Sequence, residues 1–192
     1  MRDRLRSLRA TLAREDVRSI SRRYFISNGF DGTLTSVGVA TGAYLSGVPD
    51  GATVVGVGLG AAVGLCTSGV WSVWEIERAE RRAEVADVER AMLTDLGETQ
   101  VGRRMRDARA INAVSSGLGP LVGVLLPLSP YLLEGTISMA ESTALAVAVG
   151  VATLFAFGAY LASVADLNPY VAGARMGLAG LVVAVLNVVL PG

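Results

Sequence analysis

Five apolar stretches, each long enough to cross a membrane, alternate with two arginine-rich blocks. A membrane helix needs about 20 mostly apolar residues to span the hydrocarbon. The stretches cover 25–47, 53–74, 112–133, 140–163 and 171–190. Eight arginines fall between Arg2 and Arg23, eight more between Arg78 and Arg109, and only Arg175 lies elsewhere. The pattern predicts an all-α, polytopic membrane protein with five transmembrane helices. Positive charge stays on the cytoplasmic side. The N-terminus and the 75–110 loop are therefore expected inside, and the arginine-free turns at 48–52 and 134–139 outside. Five crossings leave the C-terminus outside. The expected location is the cell membrane, as a multi-pass protein.

Composition removes several function classes. Hydrophobic residues make up 52% of the chain and charged ones 18%, against about a quarter charged in soluble domains. Cys66 is the single cysteine, so no disulfide framework is available. The chain has no histidine and no lysine. Ser-His and Cys-His catalysis, His-ligated zinc and Schiff-base chemistry are thereby excluded. An enzyme is not expected, and neither is a nucleic-acid partner. The bilayer itself is the first expected partner.

The chain divides into four parts. Residues 1–23 form a basic N-terminal segment whose Leu5, Leu8, Leu12 and Val17 fall near one helical stripe, as in a helix lying in the interface. It has no apolar run like that of a cleaved leader. Residues 24–74 hold spans one and two, 75–110 a charged cytoplasmic helical loop, and 111–192 spans three to five. In the loop, Glu77, Glu80, Glu84 and Asp87 are candidates for capturing a cation before transport. Ordinary solvated helix surface, with pairs such as Glu77–Arg81, is the more usual reading of such a charge run. Gly97 and Gly102 are expected to break the helix before span three. Tyr24, Phe25, Trp71, Trp74, Tyr131 and Tyr170 sit near span ends, as interfacial aromatics do.

The first span carries the residue most suggestive of chemistry. Asp31 lies inside an apolar segment, where an acid costs about 2.5–3.5 kcal/mol at the helix centre and tends to face a bundle interior or a wet path. Asn28, Asp31, Thr35, Gly38 and Gly42 repeat at three and four residues and share one face. A carboxylate, an amide oxygen and a hydroxyl suit a hard or borderline divalent cation, and the same carboxylate can carry a proton. An Asp that only hydrogen-bonds a neighbouring helix is the structural alternative. In span two, Gly56, Gly60 and Gly64 recur every fourth residue, a pattern that lets another helix approach closely. Gly173, Gly177 and Gly180 form a similar face in span five. In span three, Pro120, Pro127 and Pro130 imply kinks, with freed carbonyls that need partners.

Together these residues resemble the vacuolar iron transporter family. The resemblance rests on Asp31-Gly32 followed by small residues up to Leu45-Ser46-Gly47, and on Ser68-Gly69-Val70-Trp71 with Glu75. Gly123 with Pro127-Leu128-Ser129-Pro130-Tyr131 and the glycine-rich fifth span complete it. It implies a homodimer exchanging ferrous iron or manganese for protons along a path between two first helices, with Asp31 as the transport carboxylate. It implies no permanently bound cofactor, since the metal is cargo. The family's second span carries an acid and a methionine, whereas no Asp, Glu or Met occurs here between Gly51 and Trp74. A non-transporting membrane scaffold or sensor that keeps the fold is therefore the second expectation.

Overall fold

In hydrocarbon a backbone N–H or C=O finds no water, so an apolar stretch must satisfy its polar groups within itself, and the helix does so. The computed structural model describes residues 14–92, 100–133 and 135–190, and these form five α-helices. They are α1 (Glu15–Leu45), α2 (Gly51–Met92), α3 (Gln100–Leu128), α4 (Met139–Val164) and α5 (Pro169–Val189). A short 3-10 turn, Ser129–Leu133, follows α3. The stripe expected from Leu5 to Leu12 and the break expected at Gly97 lie outside the described residues. Gly102 is not a break. It lies inside α3, and the basic segment that follows it is helical.

By length and composition, four segments among the described residues qualify to cross a membrane. They are Gly51–Glu84, Asp107–Leu133, Met139–Val164 and Pro169–Val189. The remaining expected span, α1, has 31 residues, or about 46 Å at 1.5 Å per residue. It is long enough, but Asn28, Asp31 and its Ser, Thr and Gly residues hold down its apolarity. Helix α2 has 42 residues, about 63 Å. That is twice the roughly 30 Å of hydrocarbon, so α2 projects well beyond the membrane. Large apolar side chains cover the outer surface: Val63 is 66% exposed, Leu178 58% and Val189 66%. In water this would be a severe liability, whereas against lipid it is the ordinary surface.

Contacts run in the same order along α1 and α3, from Gly29–Gly119 to Thr33–Gly123, so these two helices are parallel. Along α2 and α3 the order reverses, from Glu77–Asn112 to Gly58–Leu128. Along α4 and α5 it also reverses, from Gly158–Ala172 to Val151–Gly177. Helices α1, α3 and α5 thus run one way and α2 and α4 the other. The α4–α5 turn is tight. Asp166 takes a left-handed conformation (φ 53°). The Asn168 side chain then accepts from the amides of Tyr170 and Val171 to cap α5, with Pro169 in its first turn. At the start of α4, Ser138 and Glu141 form a reciprocal capping box.

Glycine brings α1 and α3 into backbone contact. A Cβ at Gly119 would overlap the Phe25 carbonyl oxygen, and one at Gly123 the Gly29 carbonyl oxygen. One at Gly32 would sit 2.8 Å from Pro120. Gly173, Gly177 and Gly180 are buried against α4, as the spacing predicts. Gly60 and Gly64 do not pack against another helix of the same chain: among the described residues, a Cβ added at either, or at Gly56, would meet nothing within 4 Å. The packed stripe of α2 is Val54, Gly58, Ala62, Gly69, Val73 and Glu77. The Gly56 repeat starts two residues later, about 200° around the helix.

Two of the carbonyls freed by prolines find hydroxyl partners. Pro120 and Pro127 lie inside the helix, and Pro130 is buried in the 3-10 turn. Pro127 frees the carbonyl of Gly123, which accepts from the Ser36 hydroxyl at 3.3 Å. Pro130 frees that of Leu126, which accepts from the Ser129 hydroxyl at 2.7 Å. Tyr131 is not an interfacial aromatic. It is 2% exposed, and its hydroxyl pairs with that of Thr143 at 2.8 Å. The turn after Pro130 swings it inward, tying α3 to α4. Trp71 and Tyr170 do stand on the surface, 72% and 75% exposed.

Candidate functional site

Helix α1 buries a stripe of glycine, hydroxyl and small side chains, including Gly29, Thr33, Ser36 and Ala40, against the rest of the bundle. The buried hydroxyls bond back to their own helix, Thr33 to the Gly29 carbonyl at 2.8 Å and Ser36 to that of Thr33 at 2.8 Å. They therefore cost little in an apolar interior. This burial decides where Asp31 goes. It lies near the middle of the opposite face and is exposed. Among the described residues, no side chain donates to its carboxylate. The Thr35 hydroxyl donates to the Asp31 backbone carbonyl at 2.8 Å.

Further along that face, a Cβ at Gly38 or Gly42 would lie 3.8 or 3.9 Å from the Asn187 amide of α5. No local sequence signal ties residue 187 to residue 38. Asn28 also reaches into the bundle. Its amide donates to Ser116 Oγ on α3 at 2.8 Å and to the Tyr24 carbonyl at 2.9 Å. Its NH2 is thus committed to the α1–α3 seam, leaving Asp31 and Thr35 together on the outward face.

The loop carboxylates divide. Glu80 and Glu84 are exposed, and Asp87 accepts from Arg90 at 2.7 Å. Glu77 lies on the packed stripe of α2, is 2% exposed, and accepts from the amide of Asn112 at 3.0 Å. Among the described residues, no three His, Cys, Asp or Glu side chains converge as a metal site. Beside Glu77, the Arg109 guanidinium stacks 4.0 Å over the Trp74 ring. Asn112 is fully buried, and its Oδ1 has no partner among the described residues. Sequence reasoning missed Asn112 and Ser116, which sit one turn apart on α3. The usable signal was the four-residue repeat Gly69, Val73, Glu77, which carries a carboxylate into the α2–α3 seam.

Asn112→Ala is expected to be destabilising, because it strips a buried carboxylate of its amide donor. The cost is about 1–3 kcal/mol, or roughly 2–10 °C in thermal midpoint for a chain of this size. Glu80→Gln, on the exposed side of the same helix, is expected to leave the midpoint unchanged. Thermal unfolding of the two variants in detergent checks both.

The second helix adds little to a metal site. Cys66 donates its thiol to the Gly117 carbonyl of α3 at 3.0 Å, so it serves the α2–α3 seam. Comparison with known proteins bears on this arrangement. An uncharacterized protein of Methanocaldococcus jannaschii is 27% identical over 169 residues, covering 85% of each chain. No solved structure matches. The sequence pattern of the VIT family matches residues 72–190, from the end of the second apolar stretch through the last helix. That is more than half of the sequence, and the chain belongs to the VIT family, the vacuolar iron transporter family of membrane metal-ion transporters.

Proposed function

We propose that the protein carries ferrous iron or manganese across the cell membrane in exchange for protons, with Asp31 as the transport carboxylate. In this reading α1 is the fifth crossing, the arginine-rich end of the bundle faces the cytoplasm, and the C-terminus lies outside. Two copies associate through the outward faces of α1. One observation carries the proposal: Asp31 is exposed, without a side-chain partner among the described residues, on a small polar face of a helix that otherwise packs inside the bundle.

A carboxylate turned to lipid is costly, and a second copy would cover it. Two Asp31 carboxylates and two Thr35 hydroxyls would then line one path, which the Asn187 amides extend. These are oxygen ligands, and oxygen favours manganese over softer ions. A proton and a divalent cation compete for the same carboxylate oxygens, so protonation on one side releases the metal there. Glu80 and Glu84 on projecting α2 would raise the local cation concentration at the entrance.

A second reading is a non-transporting scaffold or sensor. It is favoured by the absence of an acid and a methionine between Gly51 and Trp74 and by the lack of any converging acid cluster among the described residues. Calorimetric titration of the detergent-purified protein with manganese separates the two. The transport reading expects saturable binding of one ion per two chains. No binding by a folded protein would favour the scaffold, and one ion per chain would refute the shared site.

A further inference from the structure

The arginine-rich end of the bundle carries a site that transport does not need. Between α1, α4 and α5 runs an open groove of about 620 Å³. Arg22 and Arg23 stand at its mouth, and Ile26, Phe30, Leu161 and Met176 line its depth. A second groove of about 410 Å³ opens between α1, α3 and α4, lined by Arg18, Arg22, Phe25, Leu118 and Tyr160 among others. Arg22 and Ile26 line both. Along α1 the order is guanidinium first and apolar side chains deeper. Arg22 and Phe30 are eight residues apart, or about 12 Å.

Among the described residues, Arg18 and Arg22 at the mouth have no counter-ion. The described ion pairs are Arg14–Asp16, Arg78–Glu75 and Arg90–Asp87. Neither Arg18 nor Arg22 takes part in one, and neither has a further contact of that kind. Arg22 is half-buried, and a partly desolvated guanidinium calls for an anion. Arg23 lies over the Tyr24 ring, 5.8 Å from its centre. The chain's own N-terminal segment is a poor occupant, because it adds Arg2, Arg4, Arg6 and Arg9 to a mouth that is already cationic. What fits is an anion joined to hydrocarbon.

We propose that this end of the bundle binds one anionic phospholipid. Its phosphate is held by Arg18 and Arg22, with Arg23 at the rim. One acyl chain lies along Ile26, Phe30, Leu161 and Met176, and the second enters the smaller groove. Guanidinium forks suit phosphate oxygens, which they bind in pairs. The lipid would pin the first turns of α1 to α4 and α5. This site does not depend on the transport reading.

Native mass spectrometry of the full-length protein tests it, by titration with dioleoylphosphatidylglycerol, dioleoylphosphatidylcholine or inorganic phosphate. Two guanidiniums at the headgroup predict about a thirtyfold preference for the glycerol lipid over the choline lipid. The double variant Arg18→Gln, Arg22→Gln should lose that preference and keep its fold. Met176→Trp, which fills the larger groove, should weaken both lipids while leaving the arginines in place. Arg175→Gln, outside the grooves, should change nothing. Equal affinity for the two lipids would overturn the proposal. So would a preference that survives the double variant, or phosphoglycerol lipid binding that Met176→Trp leaves intact. Tight binding of inorganic phosphate alone would also overturn it, by showing a free-anion site.

Discussion

Replacing Asp31 by Asn is expected to abolish metal flux while leaving a folded, membrane-inserted protein. The two side chains have nearly the same shape, and the amide removes an insertion cost of up to about 2.5–3.5 kcal/mol. Nothing else in the chain depends on the carboxylate, because no described side chain donates to it. The Thr35 bond goes to the backbone and survives. Any loss of flux is therefore a loss of the charge. A divalent ion shared between two copies would lose both of its anionic ligands at once. Removing even a partner one step beyond the ligands typically costs 10–100-fold in metal affinity, so the loss here should be at least that large. Asp31→Glu keeps the charge but moves it by one methylene, and should retain partial flux. Manganese uptake by vesicles checks the series, with thermal unfolding as the control for folding.

Adding a methyl group at Gly119 or Gly123 is expected to disrupt the fold itself. At each position the new atom overlaps a carbonyl oxygen of α1. Backbone cannot turn aside as a flexible side chain can. The two helices would have to separate, and α1 would lose the Ser36 bond to the Gly123 carbonyl. Overpacking of this kind costs typically 1–3 kcal/mol, and two backbones in contact put it at or above the top of that range. Gly60→Ala and Gly64→Ala are the contrast. Both meet open space within the chain, and alanine favours the helix by up to about 1 kcal/mol. Recovery as a single species on gel filtration should collapse for Gly119→Ala and Gly123→Ala and hold for the other two. If Gly60→Ala folds but fails to dimerise, the Gly56–Gly60–Gly64 stripe belongs to the contact between copies.

Much of this fold was legible before any coordinates, because a bilayer permits few solutions. The apolar stretches of spans four and five became helices within two residues of the expected limits, those of spans two and three run on into charged helix, and the fifth-span glycines packed where their spacing put them. The proline-freed carbonyls of Gly123 and Leu126 found their partners. Three things were hidden. The Gly56–Gly60–Gly64 repeat looked like a packing face, yet a repeat alone does not say which face meets a neighbour. The true stripe contains valine, alanine and Glu77 as well as glycine. Asn28 shared a face with Asp31 by spacing, but the α1–α3 crossing lies at its edge, and Ser116 draws its amide inward. Glu77 read as one of four loop carboxylates until its partner appeared on α3, 35 residues away. Local periodicity carries no information about such a pairing. Asp31 stands out in the sequence because a charge in an apolar segment is anomalous whatever surrounds it.

The most direct test of the account follows metal and protons together. Vesicles holding the purified protein would enclose a pH dye and a manganese indicator, under an imposed proton gradient. The account predicts that manganese entry and proton exit start together, that collapsing the gradient slows both, and that Asp31→Asn removes both. Manganese entry that ignores the gradient, or that continues undiminished in Asp31→Asn, would contradict it.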